Sequence, residues 1–171
     1  MLIYHPIHDV NHCVYRILLV LENSQHSHID LDLFRLIDFY LLFPHLIKEI
    51  KPFPSELVSF KKVIKYIPEP YELIGNVKRT MYELEAIQTT AIQNLMAKNI
   101  IEIDSYQNKS LKRTEELLPE SIYEKIMNNG VVKEEWFRML INEFPTVTFL
   151  GKKGLKARSG LMEFRYDVEI I

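Results

Sequence analysis

The chain has 171 residues, of which 47% are hydrophobic, and this suits one compact domain or two small lobes. Its net charge of −2 provides no global field that would attract nucleic acid, so any such contact must come from a local patch. A single cysteine, Cys13, excludes an intramolecular disulfide and is typical of a reducing compartment. With five glycines, no Rossmann or P-loop motif, no secretory pattern and no transmembrane segment, we expect a cytoplasmic protein without a nucleotide site.

In the first third of the chain, the spacing of apolar residues predicts a short strand at residues 2–4 and helices at residues 10–21 and 30–43. Asp9 or Asn11 is suited to cap the first helix, and Asp30 the second. The second helix is apolar around most of its circumference, which indicates burial in a core or between partners. Pro44 must end or kink it, and Arg35 and Asp38, three residues apart, can pair on one face.

A third helix is predicted at residues 55–66, capped by Ser55 and flanked by Lys61, Lys62 and Lys65. Two prolines within residues 68–70 then form a stiff joint. We take this joint as the boundary between a helical lobe, residues 1–67, and a second lobe, residues 71–171, with both lobes joined in one compact unit.

The second lobe predicts helices at residues 76–85 and 89–98, followed by a hairpin of strands at residues 100–103 and 110–114. This is the element order of a winged helix-turn-helix. Further predictions are helices at residues 119–127 and 133–144, a strand at 147–150, a basic glycine-rich loop at 151–160 and an amphipathic strand at 161–171. The predicted fold class is mainly α (α+β), with a helical N-terminal half, a winged-helix-like C-terminal half and a short sheet.

Two basic clusters are candidate contacts for nucleic acid or a partner protein. The candidate recognition helix at residues 89–98 has no arginine, which argues against base reading, and winged helices also serve as protein-docking modules. Both kinds of contact stay open, as does simple solvation of the 151–160 loop. The candidate cations are Lys78, Arg79, Lys109, Lys112 and Arg113 in the winged part, and Lys152, Lys153, Lys156 and Arg158 in the loop.

A metal site is the other chemistry that the residue types suggest. His5, His8, His12 and Cys13 lie within nine residues, but their spacing fits no closed zinc motif and no second pair follows downstream. Cys13 sits on an apolar helix face, where a free cysteine usually acts as a small hydrophobe. We therefore expect no metal, no cofactor and no catalytic residue.

Three segments carry a family resemblance: Tyr4-His5-Pro6, residues 11–18 (NHCVYRIL) and residues 37–44 (IDFYLLFP). They resemble the small middle component of bacterial ABC-three-component systems, the group that includes Lamassu-type antiphage systems. The resemblance implies a non-enzymatic adaptor between an SMC- or Rad50-type ABC ATPase and an effector, commonly a nuclease, with DNA met through the complex. The resemblance also implies that the second helix builds the core and one docking face of this adaptor, through Phe39, Tyr40, Leu42 and Phe43. The alternative reading is an autonomous winged-helix DNA-binding regulator.

Overall fold

The computed structural model describes residues 6–71 and 73–167, and this part of the chain is mostly helical. Short 3-10 segments and one π-helical turn, Met139–Glu143, connect the helices, and a two-stranded antiparallel sheet completes the fold. The mainly helical class with a short sheet is confirmed. The α-helices are α1 (Val10–Asn23), α2 (Leu31–Leu42), α3 (Lys61–Lys65), α4 (Val77–Ala97), α5 (Ile103–Gln107), α6 (Glu120–Met127), α7 (Glu135–Arg138) and α8 (Leu155–Ser159); the strands are β1 (Ile29–Asp30) and β2 (Ser110–Leu111).

The first two helices begin at caps that the sequence predicts. The Asp9 carboxylate accepts hydrogen bonds from the backbone N–H groups of Asn11 (2.6 Å) and His12 (3.2 Å). Asp30 accepts one from the N–H of Leu33 at 2.9 Å, which satisfies a first-turn donor of α2. At its other end α2 stops at Leu42. Pro44 disfavours helical geometry at Phe43, the residue before it, so the helix cannot continue.

Residues 77–97 form the single helix α4, so the predicted separate helices at residues 76–85 and 89–98 are wrong. Its buried residues run through the expected turn without interruption, from Met81 and Leu84 to Gln88, Ala91, Ile92 and Leu95. Packing along α1 and α2 buries this stripe. The helix-turn-helix order therefore lacks its turn in the described part of the chain.

In place of the predicted hairpin, residues 100–102 and 112–114 are joined by two backbone hydrogen bonds and one isolated bridge. The N–H of Glu102 donates to the carbonyl of Lys112, and that of Thr114 donates to the carbonyl of Ile100, both at 3.0 Å. The residues between these segments form α5 instead of a turn, so Ile103 is helical. Strand β2 pairs with β1, with Ile29 opposite Leu111, and this pairing joins the two halves of the sequence.

The segment at residues 55–65 is a 3-10 turn, Ser55–Phe60, followed by α3. The expected cap at Ser55 is wrong, because its hydroxyl donates to the Glu56 carboxylate at 3.0 Å and makes no cap bond with the backbone. At the other end of the chain, the helix predicted at residues 133–144 is divided into α7, the π-helical turn and a 3-10 turn, Phe144–Thr146.

Residues 147–150 and 161–167 are not strands, contrary to prediction. The carbonyls of Thr148 and Phe149 accept hydrogen bonds from Leu155 and Lys156 at the start of α8, at 2.9 and 3.1 Å. This close return depends on Gly154, because a Cβ atom there would lie 2.2 Å from the Phe149 carbonyl oxygen. The predicted strand at residues 2–4 and the end of the C-terminal strand, residues 168–171, lie outside the described residues.

Buried hydrophobic side chains from both sides of residues 68–70 pack into one cluster. Helix α2 contributes its most deeply buried aromatic residues, Phe34, Phe39 and Tyr40. Phe137 and Phe144 close the cluster from the C-terminal half. None of the helices in residues 6–71 and 73–167 has the length and apolar character needed to cross a membrane.

Candidate docking surfaces

A buried ionic network connects α1, α2 and α4. The Arg16 guanidinium donates to both carboxylate oxygens of Asp38, at 2.6 and 3.1 Å, and Gln88 donates its amide N–H to Asp38 at 2.8 Å. Asp38 and Gln88 are fully buried, and Arg16 nearly so. Burial alone would lower the pKa of Arg16, but its hydrogen bond to Asp38 and the charge of that residue raise the pKa above its usual value. Arg16 therefore stays charged, and the network joins α1, α2 and α4.

The Arg35–Asp38 pairing expected from their spacing is wrong. Arg35 instead binds Asp32 at 3.3 Å and Glu85 at 3.0 Å, near the surface. The carboxylate of Asp38 points into the core, where the guanidinium of Arg16 from α1 satisfies it in a bidentate geometry. Both side chains are buried between packed helices, so we assign the pair a structural role.

Of the predicted cluster His5, His8, His12 and Cys13, His5 lies outside the described residues. Among the residues that the structure describes, no three His, Cys, Asp or Glu side chains are grouped to hold a metal ion. Cys13 is fully buried, and burial, aided by the nearby charge of Asp38, raises the pKa of its thiol to about 12.

We expect Cys13 to be inert in the folded protein. With a pKa of about 12, only about one thiol in 10,000 is ionised at about pH 8, and the thiolate is the reactive form. Iodoacetamide labelling followed by mass spectrometry should therefore be slow in buffer and fast in denaturing urea. Since folding raises this pKa, stability should fall as the pH rises above the thiol's ordinary value of 9.0. Rapid labelling of the native protein would contradict this.

The cations predicted for the winged part lie at opposite ends of α4. Lys78 and Arg79 are exposed in the first turn of α4. At the other end of the helix, the Arg113 guanidinium donates a hydrogen bond to the carbonyl of Ile100, three residues after α4 ends. A helix of 21 residues is about 30 Å long, so the two groups do not form one local patch. Lys109 is exposed in the turn before β2.

Several of these cations already have carboxylate partners. Arg79 binds Glu83 at 2.7 Å, and Lys112 binds Glu102 at 2.8 Å. Arg113 pairs with Glu22 of α1 and donates to the carbonyls of Ile100 (2.8 Å) and Glu116 (2.9 Å). Arg113 therefore ties the region of the small sheet to α1.

The basic segment at residues 151–160 is folded around α8. Lys156 forms an ion pair with Asp167 at 2.7 Å, and both side chains are largely buried. Arg158 donates to the backbone carbonyls of Lys153 and Pro52. Lys152 and Lys153 remain exposed. This segment is therefore folded in place, and the contacts of Lys156 and Arg158 help to hold it there.

The four residues named for the core and docking helix lie mainly inside the protein. Phe39, Tyr40 and Phe43 are buried, and their rings pack edge-on or tilted, with centroids 5.7 Å apart for Phe39–Tyr40 and 5.0 Å for Phe39–Phe43. Leu42 is half-buried. Burial raises the pKa of the Tyr40 hydroxyl above its usual value. These side chains thus build the core.

Sequence reasoning missed a groove of about 570 Å³ formed by the connector before α3 and by α3 itself. Four lysines surround an apolar floor. Its signal in the sequence is the spacing of Lys61 and Lys65, four apart, which places both on one side of α3. We call it the lysine groove, and its lining residues are Lys48, Ile50, Lys51, Phe53, Lys61, Ile64 and Lys65.

Comparison with known protein families places the chain in a family. A family model described as ABC-three component (ABC-3C) system Middle Component 5 matches residues 2–167. This match spans nearly the whole chain, including the three segments on which the resemblance rests and every helix described above. Neither the curated proteins nor the solved structures gave a match.

Proposed function

The chain belongs to the middle component 5 family of ABC-three-component systems, and from this premise we propose that it is a non-enzymatic adaptor of an antiphage defence complex. In this proposal it joins an SMC- or Rad50-like ABC ATPase to an effector nuclease, as in Lamassu-type systems, and it meets DNA through the complex. The family match over residues 2–167 carries the proposal, because a middle component acts as one subunit among several.

Exposed apolar side chains support a role in binding other proteins. Four of them lie between residues 66 and 82: Tyr66, Tyr71, Leu73 and Tyr82, each with 74% or more of its surface exposed. Tyrosine is enriched at protein interfaces because its large ring buries apolar area while its hydroxyl stays hydrogen-bonded. An accessory subunit requires such surface outside its own core.

An autonomous winged-helix DNA-binding regulator has less support. That reading needs Lys78, Arg79, Lys109, Lys112 and Arg113 to contact phosphates together, but they are divided between the two ends of α4. Three of the five also neutralise carboxylates of the same chain. Phosphate binding would have to break these ion pairs, which weakens the electrostatic gain.

Co-purification tests the proposed function. The tagged chain is co-expressed with the products of its neighbouring genes and analysed by size-exclusion chromatography with light scattering. We expect it to elute at a fixed ratio with an ABC ATPase of the SMC type and with an effector subunit. In the control, a tag on the ATPase should recover the same assembly. If the folded chain elutes alone while both neighbours are present and folded, the adaptor proposal is wrong.

A further inference from the structure

Positive charge is concentrated around the lysine groove, although the chain as a whole has a net charge of −2. Residues 48–65 contain five lysines and two glutamates. Two groove lysines are paired: Lys48 with Glu69 at 2.5 Å and Lys51 with Glu49 at 3.3 Å. Lys61 and Lys65 have no carboxylate partner among the described residues. The α3 side of the groove therefore presents two uncompensated positive charges.

The floor between these lysines is apolar. Ile50 and Ile64 form its base with only 1% and 4% of their surface exposed, and the half-buried ring of Phe53 forms one wall. The Lys61 ammonium lies 5.8 Å from the centre of the Phe53 ring, within the range of a cation–π contact. An opening of about 570 Å³ is large enough for a few inserted side chains.

Backbone contacts fix the shape of the groove. The Lys48 ammonium donates to the carbonyl of Ile67 at 2.7 Å, which connects the 3-10 turn after α2 to the end of α3. The N–H of Lys51 donates to the carbonyl of Arg158 at 3.1 Å, which anchors the connector to α8. A groove held from both sides is preorganised, so little conformational entropy would be lost in ordering it when a ligand binds.

We infer that the lysine groove binds an acidic, amphipathic segment of a partner subunit, an inference that rests on the adaptor role proposed above. The segment would place an aliphatic or aromatic side chain against the ring of Phe53, with Asp or Glu residues facing Lys61 and Lys65. The inserted side chain supplies most of the affinity, and the carboxylates orient the segment and speed its association.

The apolar ring in the groove distinguishes this occupant from duplex nucleic acid. The phosphate backbone of a duplex would satisfy the lysines, but its bases are stacked inside and cannot cover the ring of Phe53. The groove is also lined by lysines without an arginine, whereas arginine is the residue that binds phosphate in a bidentate manner. Charge and apolar area together therefore fit a protein segment.

Zero-length cross-linking of the assembled complex tests this directly. A carbodiimide couples a lysine amine only to a carboxylate in contact with it. With the complex of co-expressed subunits, we expect mass spectrometry to find amide cross-links from Lys61 and Lys65 to Asp or Glu residues of one partner segment. That segment should also contain apolar residues next to the linked carboxylates.

Charge reversal gives the second measurement. The double variant Lys61→Glu/Lys65→Glu should raise the Kd of that partner about tenfold or more, because like charges then face each other. Lys61→Arg/Lys65→Arg should keep binding, and Phe53→Ala should weaken it with little change in its salt dependence. The matched control is Lys98→Glu/Lys133→Glu, which makes the same net charge change at two exposed lysines outside the groove.

The outcomes separate this inference from the proposed function. If the wild-type chain forms no complex, the adaptor role itself is wrong and the inference fails with it. If the complex forms normally with Lys61→Glu/Lys65→Glu and the cross-links lie elsewhere, only the inference is overturned. If the reversal leaves assembly intact but abolishes retention of duplex DNA by the complex, the groove is a nucleic-acid site, and this also overturns the inference.

Discussion

Replacing Asp38 by alanine is expected to lower the free energy of unfolding by about 3–5 kcal/mol, as is typical when one partner of a buried ion pair is removed. The substitution leaves Arg16, with 7% of its surface exposed, as a buried charge without its carboxylate. It also removes the nearer acceptor of the Gln88 amide nitrogen, at 2.8 Å, and leaves only the Arg35 carbonyl at 3.5 Å. Urea unfolding, followed by circular dichroism and by the fluorescence of Trp136, measures the change.

The same helix offers a matched control. Asp32→Ala removes a carboxylate from α2 whose side chain is 42% exposed and whose bond to Arg35 is 3.3 Å long, so the expected loss is below about 1 kcal/mol. Removing both charges by Arg16→Met/Asp38→Leu should recover much of the loss, since no unpaired buried charge remains. Equal losses for Asp38→Ala and Asp32→Ala would refute the structural role of the network.

Replacing Phe39 by aspartate is expected to leave no folded protein. Phe39 is fully buried, and its ring packs against Tyr40 and Phe43. Loss of a buried phenylalanine costs about 3–5 kcal/mol, and a buried unpaired carboxylate adds several more. Together these losses are comparable to the whole free energy of unfolding of a typical domain, about 5–15 kcal/mol. Loss of soluble protein and of cooperative thermal unfolding is the readout.

Leu42→Asp is the companion variant on the same helix. Leu42 is half-buried at the end of α2, so a carboxylate there can reach water and the expected loss is smaller. This variant should fold with lowered stability. A soluble, cooperatively folded Phe39→Asp protein would show instead that α2 is a surface element, in conflict with its burial.

The helices of the first half were predictable because their signals are local. Asp9, Asp30 and Pro44 fix helix ends through the backbone groups next to them, and the structure places the ends of α1 and α2 within about two residues of the prediction. The partner of Asp38 was not predictable in this way. Arg35 and Arg16 were both available, and only the packing of α1 against α2 decides between them.

The errors in the second half have a different cause. The signal for a continuous α4 was present, since residues 81–95 carry an apolar stripe at helical spacing without glycine or proline. The winged-helix order nevertheless suggested a break there. Alternation at residues 161–167 predicted a strand, but a strand needs a neighbour to accept its backbone hydrogen bonds. Sequence alone does not report whether such a neighbour exists.

The lysine groove could not be predicted from the sequence, because it is formed by two separate segments of the chain. Lys48 and Lys51 precede α3 by ten residues or more, and they meet Lys61 and Lys65 only because the chain folds back at residues 52–54. Spacing rules describe single helices and strands, and they do not describe surfaces made from two segments. In the sequence, Lys61, Lys62 and Lys65 only flank the apolar positions of a predicted helix, and this pattern indicates no site.

The continuity of α4 also has a mechanical consequence. Kinks in helices arise mainly at proline, glycine or inserted turns, and α4 contains neither proline nor glycine along its 21 residues. It therefore acts as a stiff rod, about 30 Å long. We expect a displacement applied by a partner at Asn76 to reach the far end, beside the small sheet, without being absorbed at a hinge. A subunit placed between two larger proteins would then transmit movement from one to the other.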